Sequence, residues 1–301
     1  MLPRKALSLG MNRANSNCTA RPVRRASLLR VACALAAVLG VTPARASETV
    51  LHSFVPYPLG ASPQANVCLG PGNNIYGTAL GGPTGNGVVF RVNNAGHEAV
   101  LYSFTGGNDG GYPYADVICN SAGQIYGTTE FGGSSGAGVV YRMAGAGHEA
   151  VLYSFTGGND GGYPMASLIQ DSAGNLYGTT VGGGYDGAGV VFKLDTKGNE
   201  TVLYSFTGGN DGGFPYAGVV LDSAGNLYGT TNGGGQSGAG VVFKLDKNGN
   251  ETALYSFTGG NDGASPYAGV VLDSVGNLYG TAPYGGLGGR RGGLQGRSNR
   301  S

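Results

Sequence analysis

The stretch LYSFTGGNDGGYP, at residues 101–113, returns almost letter for letter three more times in this chain of 301 residues. Its leading leucine recurs at Leu152, Leu203 and Leu254, at a spacing of 51 residues. A related segment, LHSF, begins at Leu51. A fixed period in this range is the signature of a tandem-repeat architecture, and it outranks any local prediction of secondary structure.

Each repeat contains four apolar stretches separated by turn signals. In one unit the stretches are residues 165–170, 175–180, 190–195 and 200–206. Each is six or seven residues long, and together they are rich in Val, Tyr, Phe and Thr. That length and composition predict β-strands rather than helices. The segments between them, such as DSAGN and TGGNDGG, carry the residues that favour turns.

Side-chain alternation indicates that both faces of each predicted sheet are covered. In residues 190–195, Val190, Phe192 and Leu194 share one face, while Val191 lies on the other. A sheet with apolar residues on both faces must be sandwiched between neighbours. Four short antiparallel strands per repeat, stacked on copies of themselves, predict an all-β fold of the β-propeller type, in which each repeat is a blade.

The phase of the repeat predicts about five four-stranded blades. The segment ETVLHSF, residues 48–54, matches the fourth strand of a blade, and four complete blades follow it. The repeats end with two strands of a fifth blade, residues 267–272 and 277–281. We therefore expect the last blade to be incomplete and closed by the N-terminal strand. A tail rich in Gly and Arg, residues 287–301, stands where the third strand should be, and we expect it to be disordered or truncated.

The first 46 residues have the order of a secretory signal peptide. Arginines between positions 21 and 30 precede the apolar run at residues 31–41, and Ala44-Arg45-Ala46 follows as a small-residue cleavage site. The run is well short of the ~20 residues that a membrane-spanning helix needs. We expect cleavage near Ala46, a mature chain without a membrane span, and a repeat domain at residues 47–286.

Removing this segment reveals an acidic repeat domain. Residues 47–289 contain six Lys and Arg against 17 Asp and Glu, a net charge of −11, although the whole chain carries +1. Nucleic acids and anionic membranes both require basic patches on their partners. The charge therefore argues against both, and we expect a monomer whose partner is a protein, a glycan or a cell-surface component.

Two cysteines remain outside the signal segment, Cys68 and Cys119. They occupy nearly equivalent positions of successive repeats, but one residue out of register. In strands that offset points them to opposite faces. A disulfide is compatible with export, but we expect two ordinary buried thiols instead.

The recurring pattern resembles a known family. The segments YGTT at residues 126–129, GVVY at 138–141 and LYSFTGGNDG at 152–161 are similar to the GloVer (Gloeobacter/Verrucomicrobia) tandem repeat of exported bacterial proteins. The similarity covers about residues 48–286. It implies a propeller-like protein of unassigned activity that is secreted, or located in the periplasm or at the surface of a bacterium.

The Asn-Asp pairs of the TGGNDGG segments are the candidate ligand-binding residues. In a propeller these segments and the Gly-rich loops after the second strands open on one face, where a ring of oxygen atoms would suit a polar ligand or calcium. Turn chemistry explains the same letters, because Asx side chains bond the local backbone and Gly supplies positive φ. We favour the turn interpretation. The pairs are Asn108 and Asp109, Asn159 and Asp160, Asn210 and Asp211, and Asn261 and Asp262.

An enzyme needs residues that depart from the repeat, because a catalytic group must differ from its structural copies. The three histidines, His52, His97 and His148, have no repeat-breaking neighbour of catalytic type. We therefore assign no catalytic residue and no metal site, and expect a non-catalytic binding or structural module. The alternative is a propeller lyase or hydrolase with carboxylates around its central channel. Repeat-breaking residues in the loops after the second strands are the expected place for specificity: Glu130, Phe131, Tyr185, Asp186 and Gln236.

Overall fold

The computed structural model describes residues 49–54, 60–144 and 147–286, and the backbone of residues 292–296. The expected signal peptide lies outside these residues. The chain divides into residues 1–49 and 50–301, and every described strand belongs to the second unit. Apart from one short 3-10 turn at Pro71–Asn73, that unit is built from strands and turns in its described part.

The described strands form five antiparallel sheets, one for each repeat. The first sheet contains β1 (Cys68–Leu69), β2 (Ile75–Ala79), β3 (Val88–Val92) and β4 (Glu98–Ser103). The second contains β5 (Ile118–Cys119), β6 (Ile125–Thr129), β7 (Val139–Ala144) and β8 (His148–Ser154). The third contains β9 (Ile169–Gln170), β10 (Leu176–Thr180), β11 (Val190–Leu194) and β12 (Glu200–Ser205). The fourth contains β13 (Val220–Leu221), β14 (Leu227–Thr231), β15 (Val241–Leu245) and β16 (Glu251–Ser256). The fifth contains β17 (Val271–Leu272), β18 (Leu278–Ala282) and β19 (Gly292–Gly296).

Within every sheet the strands lie side by side in chain order. The DSAGN segments form the tight turns between first and second strands, as predicted from their letters. In the third sheet Asp171 Oδ1 accepts hydrogen bonds from the backbone N–H groups of Ala173 and Asn175, at 2.9 and 2.8 Å. Gly174 supplies the positive φ of +88° that this turn requires.

The first strand of each sheet is shorter than the sequence predicted. Of residues 165–170, only Ile169–Gln170 belong to a ladder. Pro164 cannot donate a backbone hydrogen bond, so the ladder cannot run continuously from the bridge between Gly162 and Gly182. The carbonyl of Ala166 instead accepts a hydrogen bond from Thr128 Oγ1 of the preceding sheet, at 3.2 Å.

The hydrophobic core lies between consecutive sheets. In β11, Val190, Val191 and Phe192 are all fully buried, which confirms that both faces of the sheet are covered. Phe155, at the end of β8, packs against Phe192 with the ring centroids 5.1 Å apart. The equivalent pairs Phe104 with Tyr141 and Phe206 with Phe243 have the same spacing. Burying one such ring stabilises the fold by about 1.5–3 kcal/mol.

Buried threonines add hydrogen bonds across the same interfaces. Thr179 Oγ1 donates to the carbonyl of Ala217 in the next repeat, at 3.0 Å. Thr78 and Thr230 make the same bond to Ala115 and Ala268, again at 3.0 Å. A buried hydroxyl without a partner would cost free energy, so these bonds fix the register between sheets. The stacked, propeller-like architecture predicted from the repeat is thereby confirmed.

The expectation of two free thiols is wrong, because Cys68 and Cys119 form a disulfide with their Cα atoms 5.8 Å apart. The offset in register is real: Cys68 lies opposite Tyr76 in the first sheet, whereas Ile118 lies opposite Tyr126 in the second. In a stack, however, the front face of one sheet meets the back face of the next. Opposite orientation is therefore what a bridge between neighbouring sheets requires.

The expected ring closure is not observed in the described residues. Residues 49–54 form no strand and pair with neither β18 nor β19. They contact the first sheet instead, where the ring centroids of Phe54 and Phe90 are 4.9 Å apart. The backbone of β19 takes the place of the third strand that the sequence lacked, with Gly293 opposite Thr281. Among the described residues the fifth sheet therefore has three strands, and no strand pairing joins it to the first sheet.

Candidate functional site

Two sets of loops meet on one side of the sheets. In the second repeat Gly133 N, in the loop after the second strand, donates to Gly107 O in the TGGNDGG segment at 2.9 Å. The same bond joins Gly184 to Gly158 in the next repeat, at 2.8 Å. We call this surface the loop face; it consists of residues 104–113 and 130–138 and their equivalents in the other repeats.

The four aspartates of the loop face have the same local partners in every repeat. Asp160 Oδ2 accepts hydrogen bonds from the Tyr153 hydroxyl at 3.0 Å and from Thr156 N at 2.8 Å, and Oδ1 accepts one from Thr156 Oγ1. Asp109, Asp211 and Asp262 repeat this arrangement. Each carboxylate therefore ties the end of the fourth strand to the turn that follows it.

In two of the turns these hydrogen bonds lower the pKa of the carboxyl group. For Asp109 burial opposes ionisation, but the bonds from Thr105 and Tyr102 outweigh it and lower the pKa. For Asp262 the bonds from Thr258 lower the pKa to about 2. A carboxylate that accepts several hydrogen bonds is stabilised in its charged form. The turn accounts for both the position and the charge of these residues.

The asparagines are placed differently. Asn108, Asn159, Asn210 and Asn261 are exposed, and within the described residues their side chains accept and donate no hydrogen bond. No three His, Cys, Asp or Glu side chains of the described chain converge closely enough to hold a metal ion. The amides, rather than the carboxylates, are the groups of the Asn-Asp pairs that remain open to a ligand.

An aromatic residue follows the TGGNDGG segment in three repeats. Tyr112, Tyr163 and Phe214 have positive φ angles of 59°, 61° and 58°. Bulky side chains rarely adopt this region, and each of these residues also precedes a proline. At the equivalent positions Ser62 and Ser265 have φ angles of 57° and 49°. The backbone conformation is therefore a property of the repeat and does not depend on the ring.

Phe131 lies between two of these rings. Its centroid is 5.7 Å from that of Tyr112 and 5.8 Å from that of Tyr163, in edge-to-face arrangements. The exposed fractions of Tyr112, Phe131 and Tyr163 are 38%, 41% and 41%. We call these three residues the aromatic arc. Gly182 and its copy in the fourth repeat stand where Phe131 stands in the second, and Tyr284 stands there in the fifth without a ring contact among the described residues. The row of three contacting rings is therefore specific to one part of the loop face.

A carboxyl group lies beside the arc. Glu130 N donates to Tyr112 O at 3.1 Å, and burial raises the pKa of the Glu130 side chain. Burial and the nearby Glu130 charge together raise the pKa of Tyr114. Leu80, Val181 and Asn232 occupy the positions equivalent to Glu130, which makes it a repeat-breaking residue as the sequence indicated.

Other repeat-breaking polar groups have structural partners. Asp116 accepts hydrogen bonds from Asn66 N at 2.6 Å and Asn66 Nδ2 at 2.9 Å, across two repeats. His52 Nε2 lies 2.6 Å from Glu98 Oε2. A shallow pocket near the hairpin end of the first sheet is lined by residues without titratable side chains, among them Leu51, Ile75 and Asn93. These groups do not assemble a nucleophile with a base.

Phe131 was identified from the sequence as repeat-breaking, whereas its two partners were not. Tyr112 and Tyr163 belong to the repeated sequence, so a structural role was expected for them. The available signal was the variation at that position, which reads Ser, Tyr, Tyr, Phe and Ser before proline along the chain. Tyr185, Asp186 and Gln236 are on the same face but make no ring contact with the arc among the described residues.

A family model described as the Gloeobacter/Verrucomicrobia repeat matches residues 35–208 and, in a second overlapping match, residues 120–295. The two matches together cover most of the chain. No curated protein matches this chain. No helix of the described residues is long and apolar enough to cross a membrane.

Several solved structures are similar to this chain at low identity. One, provisionally described as a gluconolactonase, is 14% identical with a TM-score of 0.48, and the match covers 78% of each chain. The extracellular domain of a provisional one-component system from B. thetaiotaomicron has 14% identity and a TM-score of 0.48, over 79% of this chain and 28% of that one. A protein of unknown function from Dyadobacter fermentans has 11% identity and a TM-score of 0.45, over 73% and 74%. These values carry no argument about ligand or activity.

Proposed function

This chain belongs to the Gloeobacter/Verrucomicrobia repeat family, and we propose that it is an exported, non-catalytic binding module that uses its loop face. The observation that carries the proposal is the aromatic arc. Tyr112, Phe131 and Tyr163 are exposed, and at the positions of the two tyrosines Ser62 and Ser265 have the same backbone conformation. Exposed rings that the fold does not require point to a binding role.

The contrast with the aspartates supports a binding site made of rings and amides. The carboxylates of Asp109 and its copies are engaged by their own turns. The asparagines beside them are exposed. We therefore propose the four Asn side chains as polar contributors to the site, and assign the four Asp residues to the stability of their own turns. A bound calcium ion would have to recruit ligands beyond these turns.

Export is a second part of the proposal. The order of charged, apolar and small residues before Ser47 supports it. The full-length gene should be expressed in a bacterial host and the accumulated protein recovered from periplasm and medium. Mass spectrometry should find a chain that begins near Ser47. An uncleaved chain retained in the cytoplasm would contradict export.

Binding is tested with washed bacterial envelope as the probe. The protein should sediment with the envelope, and the double variant Tyr112→Ser, Tyr163→Ser should sediment much less. The matched control is His148→Asn, which changes an exposed residue at the opposite hairpin end to the residue found at Asn199 and Asn250. Equal sedimentation of wild type and double variant would show that the loop face is not the binding surface.

A further inference from the structure

We propose that the aromatic arc binds a neutral glycan chain, with successive sugar rings stacked on Tyr112, Phe131 and Tyr163. This proposal rests on the proposed binding function and names its ligand class. Three features of the loop face carry it: a row of fixed rings, the absence of exposed large aliphatic side chains from its described residues, and the distribution of charge near the rings.

The rings form a row that the backbone holds in place. Tyr112 N donates to Asn86 O at 2.7 Å, and Gly111 and Phe131 exchange two backbone hydrogen bonds of 2.8 and 3.1 Å. Tyr163 N makes the equivalent bond to Ala137 O at 2.8 Å. Little conformational freedom therefore remains to be lost on binding, which favours affinity. A row of three platforms suits an extended chain better than a compact ligand.

The apolar surface of the loop face is aromatic only. In its described part the exposed large hydrophobic residues are Tyr112, Phe131, Tyr163, Tyr185, Phe214 and Tyr284. The surrounding residues include Gly, Ser, Thr and Asn, which offer amides and hydroxyls. A sugar ring has the complementary form, with C–H groups on its faces and hydroxyls at its edge. Protein interfaces commonly add Met and Arg to such anchors, and neither occurs in residues 104–113, 130–138 or 155–164, the loops that carry the arc.

Charge selects a neutral chain. The six basic residues of the repeat domain lie on third strands and their hairpins, away from the loop face: Arg91, Arg142, Lys193, Lys197, Lys244 and Lys247. The loop face instead carries Asp109 and Asp160, and Glu130 beside the arc. An anionic polysaccharide or a nucleic acid would meet like charge at the arc, where residues 104–113, 130–138 and 155–164 contain no Lys or Arg.

Affinity electrophoresis of the full chain tests the proposal. Native gels should contain hydroxyethylcellulose, glucomannan or soluble starch as neutral probes, and polygalacturonate as the anionic probe. We expect retardation by at least one neutral polysaccharide and none by polygalacturonate. Removing one ring of the arc should weaken binding by about tenfold, which corresponds to about 1.4 kcal/mol and lies within the range of an aromatic contact. No retardation by any neutral probe, or retardation by polygalacturonate alone, would overturn the proposal.

The chain itself supplies the variants. Tyr112→Ser and Tyr163→Ser introduce the residue found at Ser62 and Ser265, and Phe131→Gly introduces the residue found at Gly182. The matched control is Tyr185→Ser, which removes a ring on the same face that is 77% exposed and outside the arc. Serine occupies the equivalent position, Ser134. An equal loss in this control would contradict the assignment to the arc.

The envelope assay separates failure of this inference from failure of the proposed function. Periodate cleaves the vicinal diols of sugars, whereas protease removes protein ligands. Binding that is lost after periodate treatment and resists protease supports a glycan. Binding that survives periodate but is lost after protease overturns the glycan and leaves a binding function through the loop face. If the protein binds neither treated nor untreated envelope, the proposed binding function itself is wrong.

Discussion

Asp160 and Tyr163 lie three residues apart in one segment, yet the repeats treat the two positions in opposite ways. The aspartate recurs four times with the same three hydrogen bonds. The aromatic position varies between Tyr, Phe and Ser while its backbone keeps a positive φ. A residue that is repeated together with its hydrogen-bond partners stabilises the blade. A position whose side chain changes while its backbone does not is free to serve a ligand.

Removing the disulfide should have the largest effect on stability. Cys68 and Cys119 are also an exception to the comparison, because they depart from the repeat and yet stabilise the fold. Changing both to Ser should lower the free energy of unfolding by about 2–4 kcal/mol, since the bridge constrains a long loop of the unfolded chain. Denaturant unfolding measures the change. Wild-type protein under reducing conditions is the control and should show the same loss. An unchanged free energy of unfolding would mean that the bridge does not hold the first two sheets together.

Substituting a repeated aspartate should have the next largest effect. Asp160→Ala removes the acceptor for Tyr153, Thr156 N and Thr156 Oγ1 and should lower the free energy of unfolding by about 1–3 kcal/mol. The matched control is Asp186→Ser, at an exposed position where other repeats have Ser135 and Ser237. Equal stability of the two variants would break the distinction between structural and free positions.

A pH dependence follows from the glutamates that face these aspartates across the sheet interfaces. Burial, and then the charge of the neighbouring Asp109, Asp160 or Asp211, raises the pKa values of Glu149, Glu200 and Glu251 from 4.5 to about 7. The folded state therefore holds protons that the unfolded state releases, and stability falls as the pH rises from about 4.5 to 7.

Because these glutamates are only half-buried, solvent screening limits the effect. We expect Tm to be about 2–4 °C lower at pH 8 than at pH 5. The triple variant Glu149→Gln, Glu200→Gln, Glu251→Gln should lose most of this difference in a calorimetric scan. A Tm that rises between pH 5 and pH 8 in the wild type would show that the sign is wrong.

Replacing an aromatic residue of the arc should have the smallest effect on stability. Tyr163→Ser should change the free energy of unfolding by less than about 0.5 kcal/mol, as for most exposed substitutions. Ser265 already occupies the same backbone conformation, with φ of 49°. Denaturant unfolding is again the measurement. A loss as large as that of Asp160→Ala would show that the ring is part of the fold.

The repeat was sufficient to predict the stacked sheets, because the alternation of Val190, Phe192 and Leu194 against Val191 requires cover on both faces. The disulfide was missed because strand parity was applied within one sheet, whereas Cys68 and Cys119 belong to two sheets that face each other. The expected closure of the last sheet by residues 48–54 rested only on the position of that segment in the repeat. In the described part of this segment, Phe54 packs on the first sheet. The position of the segment in the repeat cannot distinguish this packing from pairing with the last sheet.

The candidate site was predicted in part. The repeated TGGNDGG sequence identified the Asn-Asp pairs. Turn chemistry explained why Asp recurs there, and the aspartates do accept hydrogen bonds within their own turns. The aromatic arc depends on two contacts between residues 19 and 32 positions apart in sequence, so local motifs could not reveal it. Only the repeat-breaking Phe131 was visible. Its ring contacts with Tyr112 and Tyr163 required the three-dimensional arrangement of the loops.

The most direct test of the account is the affinity of Asp160→Ala and of Tyr163→Ser for a neutral polysaccharide that retards the wild type, measured by affinity electrophoresis where both variants are folded. We predict that Asp160→Ala binds within about twofold of the wild type and that Tyr163→Ser binds about tenfold more weakly. The reverse order, with Asp160→Ala weaker and Tyr163→Ser unchanged, would place the ligand on the aspartates and contradict the account.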